Sequence, residues 1–172
     1  MEEIIIFADW EFFQCLHHIG KLSLVDELPY KCVLLEDLFH EKTSYSKQKQ
    51  LVNEIKCLSN IRIDTPKDSN ANIIYPISDI SLIDQYAFIL GCEYKKNYPD
   101  YSITVCTKFS KNSHEYVDLF DVDDTLYSES LIYNLKRSKI LNLNELKKIV
   151  SLVKTEHLRD KEYEKYLNAL LY

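Results

Sequence analysis

The feature that most constrains this chain is its beginning. Ile4, Ile5, Ile6, Phe7 and Ala8 form an unbroken apolar run that stops at an acid, Asp9. Alternating apolar and polar residues mark a strand with one wet face. A run without alternation marks a strand buried on both faces, the pattern of a parallel sheet covered by helices. Residues 10–19 then carry Phe13, Cys15 and Leu16 at helical spacing, and Gly20 followed by Lys21 supplies a stop. A strand passing at once into a helix opens an α/β fold.

The remainder alternates in the same way. Residues 22–29 read as a connector or short helix, and 30–35 as either a strand or the start of a helix. From Ser44, a fair N-cap, Leu51, Val52, Ile55 and Leu58 trace a helical stripe. Residues 60–63 read as a short strand and 65–76 as a polar loop. A helix is expected from Ser78 or Ser81 to about Cys92, with Gly91 marking its end. Residues 102–106 form a strand by β-branched content, and 116–122 are a candidate for another. From about residue 128 the chain reads as helical, over 128–139, 144–154 and 161–171. A length of 172 residues fits one domain. The pattern predicts a three-layer α/β sandwich around a mostly parallel sheet.

Composition excludes several functions. With only two glycines, Gly20 and Gly91, no glycine-rich phosphate loop can be written. A net charge of −6 makes general nucleic-acid affinity poor, so a nucleic-acid role needs a local basic patch or a bridging cation. The five cysteines include no C-x-x-C pair, and four of them lie in apolar-periodic stretches, so they read as buried, reduced thiols, which implies a reducing, cytoplasmic setting. The N-terminus lacks the basic and long apolar regions of a signal peptide, and no apolar run approaches the ~18 residues of a membrane span.

Three acids sit where an apolar element ends or a helix begins: Asp9, Glu36 and Asp84. In open parallel sheets, sites form outside the carboxyl ends of the strands. Carboxylates converging there repel one another, and a divalent cation relieves the repulsion and can activate a bound water. Each acid also has a local structural use. Asp84 stands three residues after Ser81, the spacing of a capping box. Glu36 and Asp37 suit the first turn of a helix, and Asp9 can cap one. Asp79 and Glu11 are alternates should the register differ.

The pieces Ile-Ile-Ile-Phe-Ala-Asp9, Pro29-Tyr-Lys-Cys-Val-Leu-Leu-Glu36, Ser81-Leu-Ile-Asp84-Gln-Tyr-Ala87 and Ile103-Thr-Val-Cys-Thr107 stand in this order. Over residues 3 to about 110 the chain thereby resembles the PIN-domain nucleases. The resemblance implies a metal-dependent ribonuclease, a kind often found as the toxin of a toxin–antitoxin pair. It implies that Asp9, Glu36 and Asp84 hold Mg²⁺ or Mn²⁺, that Thr107 orients a carboxylate or phosphate, and that RNA is the substrate. An antitoxin-like protein would engage the C-terminal helices. The family usually carries an acid two residues after the strand-end Thr. Here that position is Phe109, with Lys108 and Lys111 beside it as candidate phosphate contacts. The departure leaves open a catalytically silent PIN-like interaction module.

A second string, Phe120-Asp-Val-Asp-Asp-Thr-Leu-Tyr127, resembles the nucleophile motif of haloacid-dehalogenase-type phosphatases, with Asp121 as nucleophile and Asp123 as general acid. In that family the motif ends the first strand and more than a hundred residues follow, whereas this chain leaves 47 after Thr125. A turn and helix cap through Asp123, Asp124 and Ser128 is the plainer reading. His17 and His18 are adjacent and so face different directions on a helix. Lys95, Lys96, Lys108 and Lys111, flanked by Tyr94, Tyr98 and Tyr101, have the composition of a single-strand RNA surface beside the acids, with a plain solvated surface as the alternative.

Overall fold

The computed structural model describes residues 2–43, 48–67, 80–107, 115–156, 165, 168, 169 and 171. The opening apolar run becomes β1 (Glu2–Phe7), the central strand of the sheet. β2 (Lys31–Leu35) and β4 (Tyr101–Thr107) flank it, and β3 (Ile61–Asp64) and β5 (Asp124–Tyr127) form the edges. All four pairings are parallel, in the order β3-β2-β1-β4-β5. The chain adds strands outward on one side of β1, then returns to add two on the other.

Among the described residues seven α-helices connect and cover these strands: α1 (Glu11–His18), α2 (Glu36–Thr43), α3 (Lys49–Lys56), α4 (Leu82–Asn97), α5 (Glu115–Phe120), α6 (Ser128–Arg137) and α7 (Leu143–Glu156). On one face α1 touches α3, α6 and α7; on the other α4 lies along β4 and against α5. The result is a three-layer α/β sandwich. Side chains along β1 alternate between the layers. Phe7 stacks with Phe12 and Phe13 of α1, at ring separations of 5.7 and 4.8 Å. Ile6 pairs with Val105, whose side chain faces Gly91 of α4. Both faces of β1 are therefore dry, as its unbroken apolar run requires.

Local chemistry fixes the element ends. Gly20 adopts φ +72°, the left-handed conformation that closes α1 at little cost. Ahead of α7, Asn142 and Glu145 cap each other: the Asn142 N–H donates to Glu145 at 2.8 Å and the Glu145 N–H to the Asn142 side chain at 3.0 Å. Buried Asn60 ties the start of β3 to the start of β2. Its side-chain amide donates to the carbonyls of Val25 and Tyr30, both at 2.9 Å, and its carbonyl accepts from the Cys32 N–H.

Two expectations are corrected. The helix carrying Gly91 runs on to Asn97, because Gly91 lets α4 approach the sheet. A Cβ there would meet Val122 Cγ1 at 2.7 Å and Val105 Cγ2 at 3.2 Å. Residues 116–122 are no strand: 115–120 form α5, whose Tyr116 and Phe120, one turn apart, both pack on Phe88. Ser44, Ser78, Asp79, Lys108, Phe109 and Lys111 lie outside the described residues, as does most of the expected helix over 161–171. Among the described residues no helix is long and apolar enough to cross a membrane.

Candidate functional site at the carboxyl edge of the sheet

Parallel pairing sends every strand toward the same edge. β1, β2 and β5 each pass into a helix there, so Asp9 and Glu11, Glu36, and Ser128 and Glu129 all stand at that edge. α4 reaches β4 through residues 98–100 and must run antiparallel to it, which puts its first turn, with Asp84, toward the edge as well. The strand order reverses between β1 and β4, the place where doubly wound sheets open a crevice. Asp9 and Thr107 lie at those two strand ends.

Asp9 is 3% exposed and held from two sides. Its Oδ1 accepts from the Glu11 N–H at 3.2 Å and its Oδ2 from the Ser128 hydroxyl at 2.8 Å. The Ser128 oxygen in turn accepts from the Phe12 N–H at 3.2 Å and lies 3.7 Å from Cys106 Sγ. These bonds join the starts of α1 and α6 across 119 positions of sequence. Two further acids are buried beside Asp9, Glu11 at 7% and Glu129 at 5% exposure. Burial, then the Glu11 carboxylate and Asp9, push the Glu129 carboxyl up to about 8, so it carries its proton at neutral pH. Burial and the charge of Asp9 push the Cys106 thiol up, which leaves it an unreactive packing group. The Thr107 hydroxyl and the Trp10 indole N–H are buried without a hydrogen-bond partner among the described residues.

The other two expected ligands are occupied locally. Glu36 is half exposed and faces His40 one turn on, at 3.4 Å. Asp84 completes the capping box of α4: its N–H donates to the Ser81 hydroxyl at 3.1 Å, and that hydroxyl donates to Asp84 Oδ2 at 2.5 Å. Asp9, Glu36 and Asp84 thus share an edge without sharing a centre. Among the described residues no three Asp, Glu, His or Cys side chains stand close enough to hold one ion. The hard oxygen donors suit Mg²⁺ or Mn²⁺ in kind; their placement does not fit a preassembled cation site.

In the sequence Glu11 is only an alternate, and Glu129 is not distinguished. The signal for Glu129 is its place directly after a strand, and that strand lies at 124–127, where the residue pattern points to 116–122. The lysines also separate. The last turn of α4 lies at the amino edge, so Lys95 is remote from the acids and binds Asp123 through both carboxylate oxygens at 2.6 Å. Asp123 accepts from the Ile103 N–H at 2.8 Å as well. Burial pulls the Asp123 carboxyl up, yet Lys95 and the Ile103 N–H outweigh it and hold the group below its ordinary value. Asp121 occupies the turn before β5 with φ 54°. The phosphatase-like string therefore enters β5 at its amino end, where Asp123 fastens a strand and a helix together.

The α7 stripe of Leu146, Ile149, Val150 and Val153 is buried in the core, so that face is not open to a partner. No protein-family model matches this sequence, and no match was found among curated proteins or among solved structures.

Proposed function

We propose that this protein is a PIN-like endoribonuclease that acts on RNA at the carboxyl edge of its sheet, with Asp9 at the centre. One observation carries the reading: three carboxylates, Asp9, Glu11 and Glu129, are buried together at the end of the central strand. Carboxyl groups crowded in low dielectric resist ionising together, which is why Glu129 keeps its proton, and such perturbed groups concentrate at functional sites. The strand order adds support, since ligands in doubly wound sheets meet the protein where this cluster lies. The resemblance implies Mg²⁺ or Mn²⁺ as the cofactor. With the carboxylates placed as they are, Glu11 and Glu129 are better neighbours for Asp9 than Glu36 and Asp84.

The test is cleavage of a labelled single-stranded RNA by the full chain, with Mn²⁺ or with chelator. Cleavage is expected with Mn²⁺ only, and Asp9→Asn should lower it by at least about a hundredfold. Cleavage equal in the parent and in Asp9→Asn would overturn the assignment.

A second reading, the silent PIN-like interaction module, is favoured by a specific observation. Both Asp9 oxygens, the Asp84 carboxylate and Glu36 each already have an internal partner. It predicts that Mn²⁺ leaves the melting temperature unchanged and that RNA stays intact.

A further inference from the structure

The amino edge of the sheet carries a cavity that the carboxyl-edge reading does not use. Its volume is about 230 Å³, and it lies beneath the last turns of α4, beside the starts of β1, β2 and β4. Tyr94, Tyr98 and Tyr101 line one wall in a continuous row, with ring centroids 5.5 and 5.7 Å apart. Ile4 and Val33 add apolar lining, and Lys31 and Arg62 add two cations to it.

Each part has a fixed role. The Tyr94 hydroxyl donates to Asp64 Oδ2 at 2.9 Å, and Arg62 pairs with the same oxygen at 3.0 Å, so the inner ring is anchored. Two acids border the cavity: Asp64, balanced by Arg62, and Glu2, which accepts from the Tyr101 hydroxyl; Lys31 adds a cation exposed to solvent. Tyr98 is 38% exposed although both neighbouring rings brace it. A large aromatic ring braced by two others yet more than a third exposed offers open aromatic surface to another flat ring. A planar ring on tyrosine, with a cation within reach of an attached anion, is how proteins hold a nucleotide of a single strand.

We propose that this cavity binds one nucleotide, its base stacked on Tyr98 and its phosphate held by Lys31 and Arg62. The volume suits a single base with part of its sugar. Stacking has no preference among bases, so the site accepts any of them. It lies at the opposite edge from Asp9, and its occupancy is independent of RNA cleavage.

The test is calorimetric titration of the full chain with uridine monophosphate, with uridine, with inorganic phosphate and with a short oligouridylate. The monophosphate should bind with a dissociation constant of about 1 mM or below, and uridine and phosphate each more weakly. Tyr98→Ala should weaken the monophosphate roughly tenfold, as loss of one stacking ring does, while Tyr98→Phe should retain it. Lys31→Ala should weaken the monophosphate and leave uridine unchanged. An oligouridylate that binds tighter than the monophosphate, with the same dependence on Tyr98, assigns the site to an RNA strand; equal affinities assign it to a free nucleotide. Because Tyr98 and Lys31 are exposed, circular dichroism should show folded variants. Binding that is absent, or indifferent to both Tyr98→Ala and Lys31→Ala, overturns the proposal.

Discussion

Glu129 binds its proton more tightly in the folded protein, with the carboxyl raised from 4.5 to about 8, than in the unfolded chain. Between those values the folded state holds more protons than the unfolded one, so stability falls as pH rises through the window and levels off above it. Glu129→Gln should remove most of that slope and stabilise the protein above pH 8 by roughly 2 kcal/mol or more. Melting temperatures of parent and variant on either side of the window decide this; parallel curves would contradict it. Ser128 has the opposite sensitivity. Its hydroxyl serves Asp9 and the Phe12 N–H together at 1% exposure. Ser128→Ala would leave two buried polar groups without partners, a loss of about 2–4 kcal/mol by urea unfolding.

Among the elements, α4 shows how one residue sets a helix against a sheet. Ala at position 91 would favour the helix by up to about 1 kcal/mol, but its methyl would strike the stiff Val122 side chain. Gly91→Ala should therefore destabilise by about 1–3 kcal/mol, and Val122→Ala in the same chain should recover part of that loss. The helical stripes of α1 and α3 and the apolar run of β1 were legible because their residues report burial directly. Gly91 was not, since a glycine at a close approach and a glycine at a helix stop are the same letter. Tyr116 and Phe120 stand at a spacing of four, which fits a helix, yet β-favouring aromatic and branched residues around them read as a strand. That single exchange displaced β5 and concealed Glu129. The acids at the ends of β1 and β2 were readable as edge residues. Their reach toward one another was not, because it depends on whether Ser81, His40 and Ser128 take them first.

For the whole molecule, the order β3-β2-β1-β4-β5 makes β1 the one strand that joins both halves of the sheet. Native-state hydrogen exchange should find the slowest amides in β1, next in β2 and β4, and the fastest strand amides in β3 and β5. Equal protection in β1 and the edges would contradict opening from the edges inward and mark a sheet that opens only as one unit. The parallel α/β class followed from the opening residues alone, whereas the order of strands needed the return across β1, which no local pattern encodes. The edges have a further consequence. Each outer strand has four residues, against five to seven inside, and carries charge at Arg62, Asp64 or Asp124. A short, charged border offers a stray extended chain too few free backbone groups to dock, so the same topology that exposes two open margins also discourages self-association into fibrils.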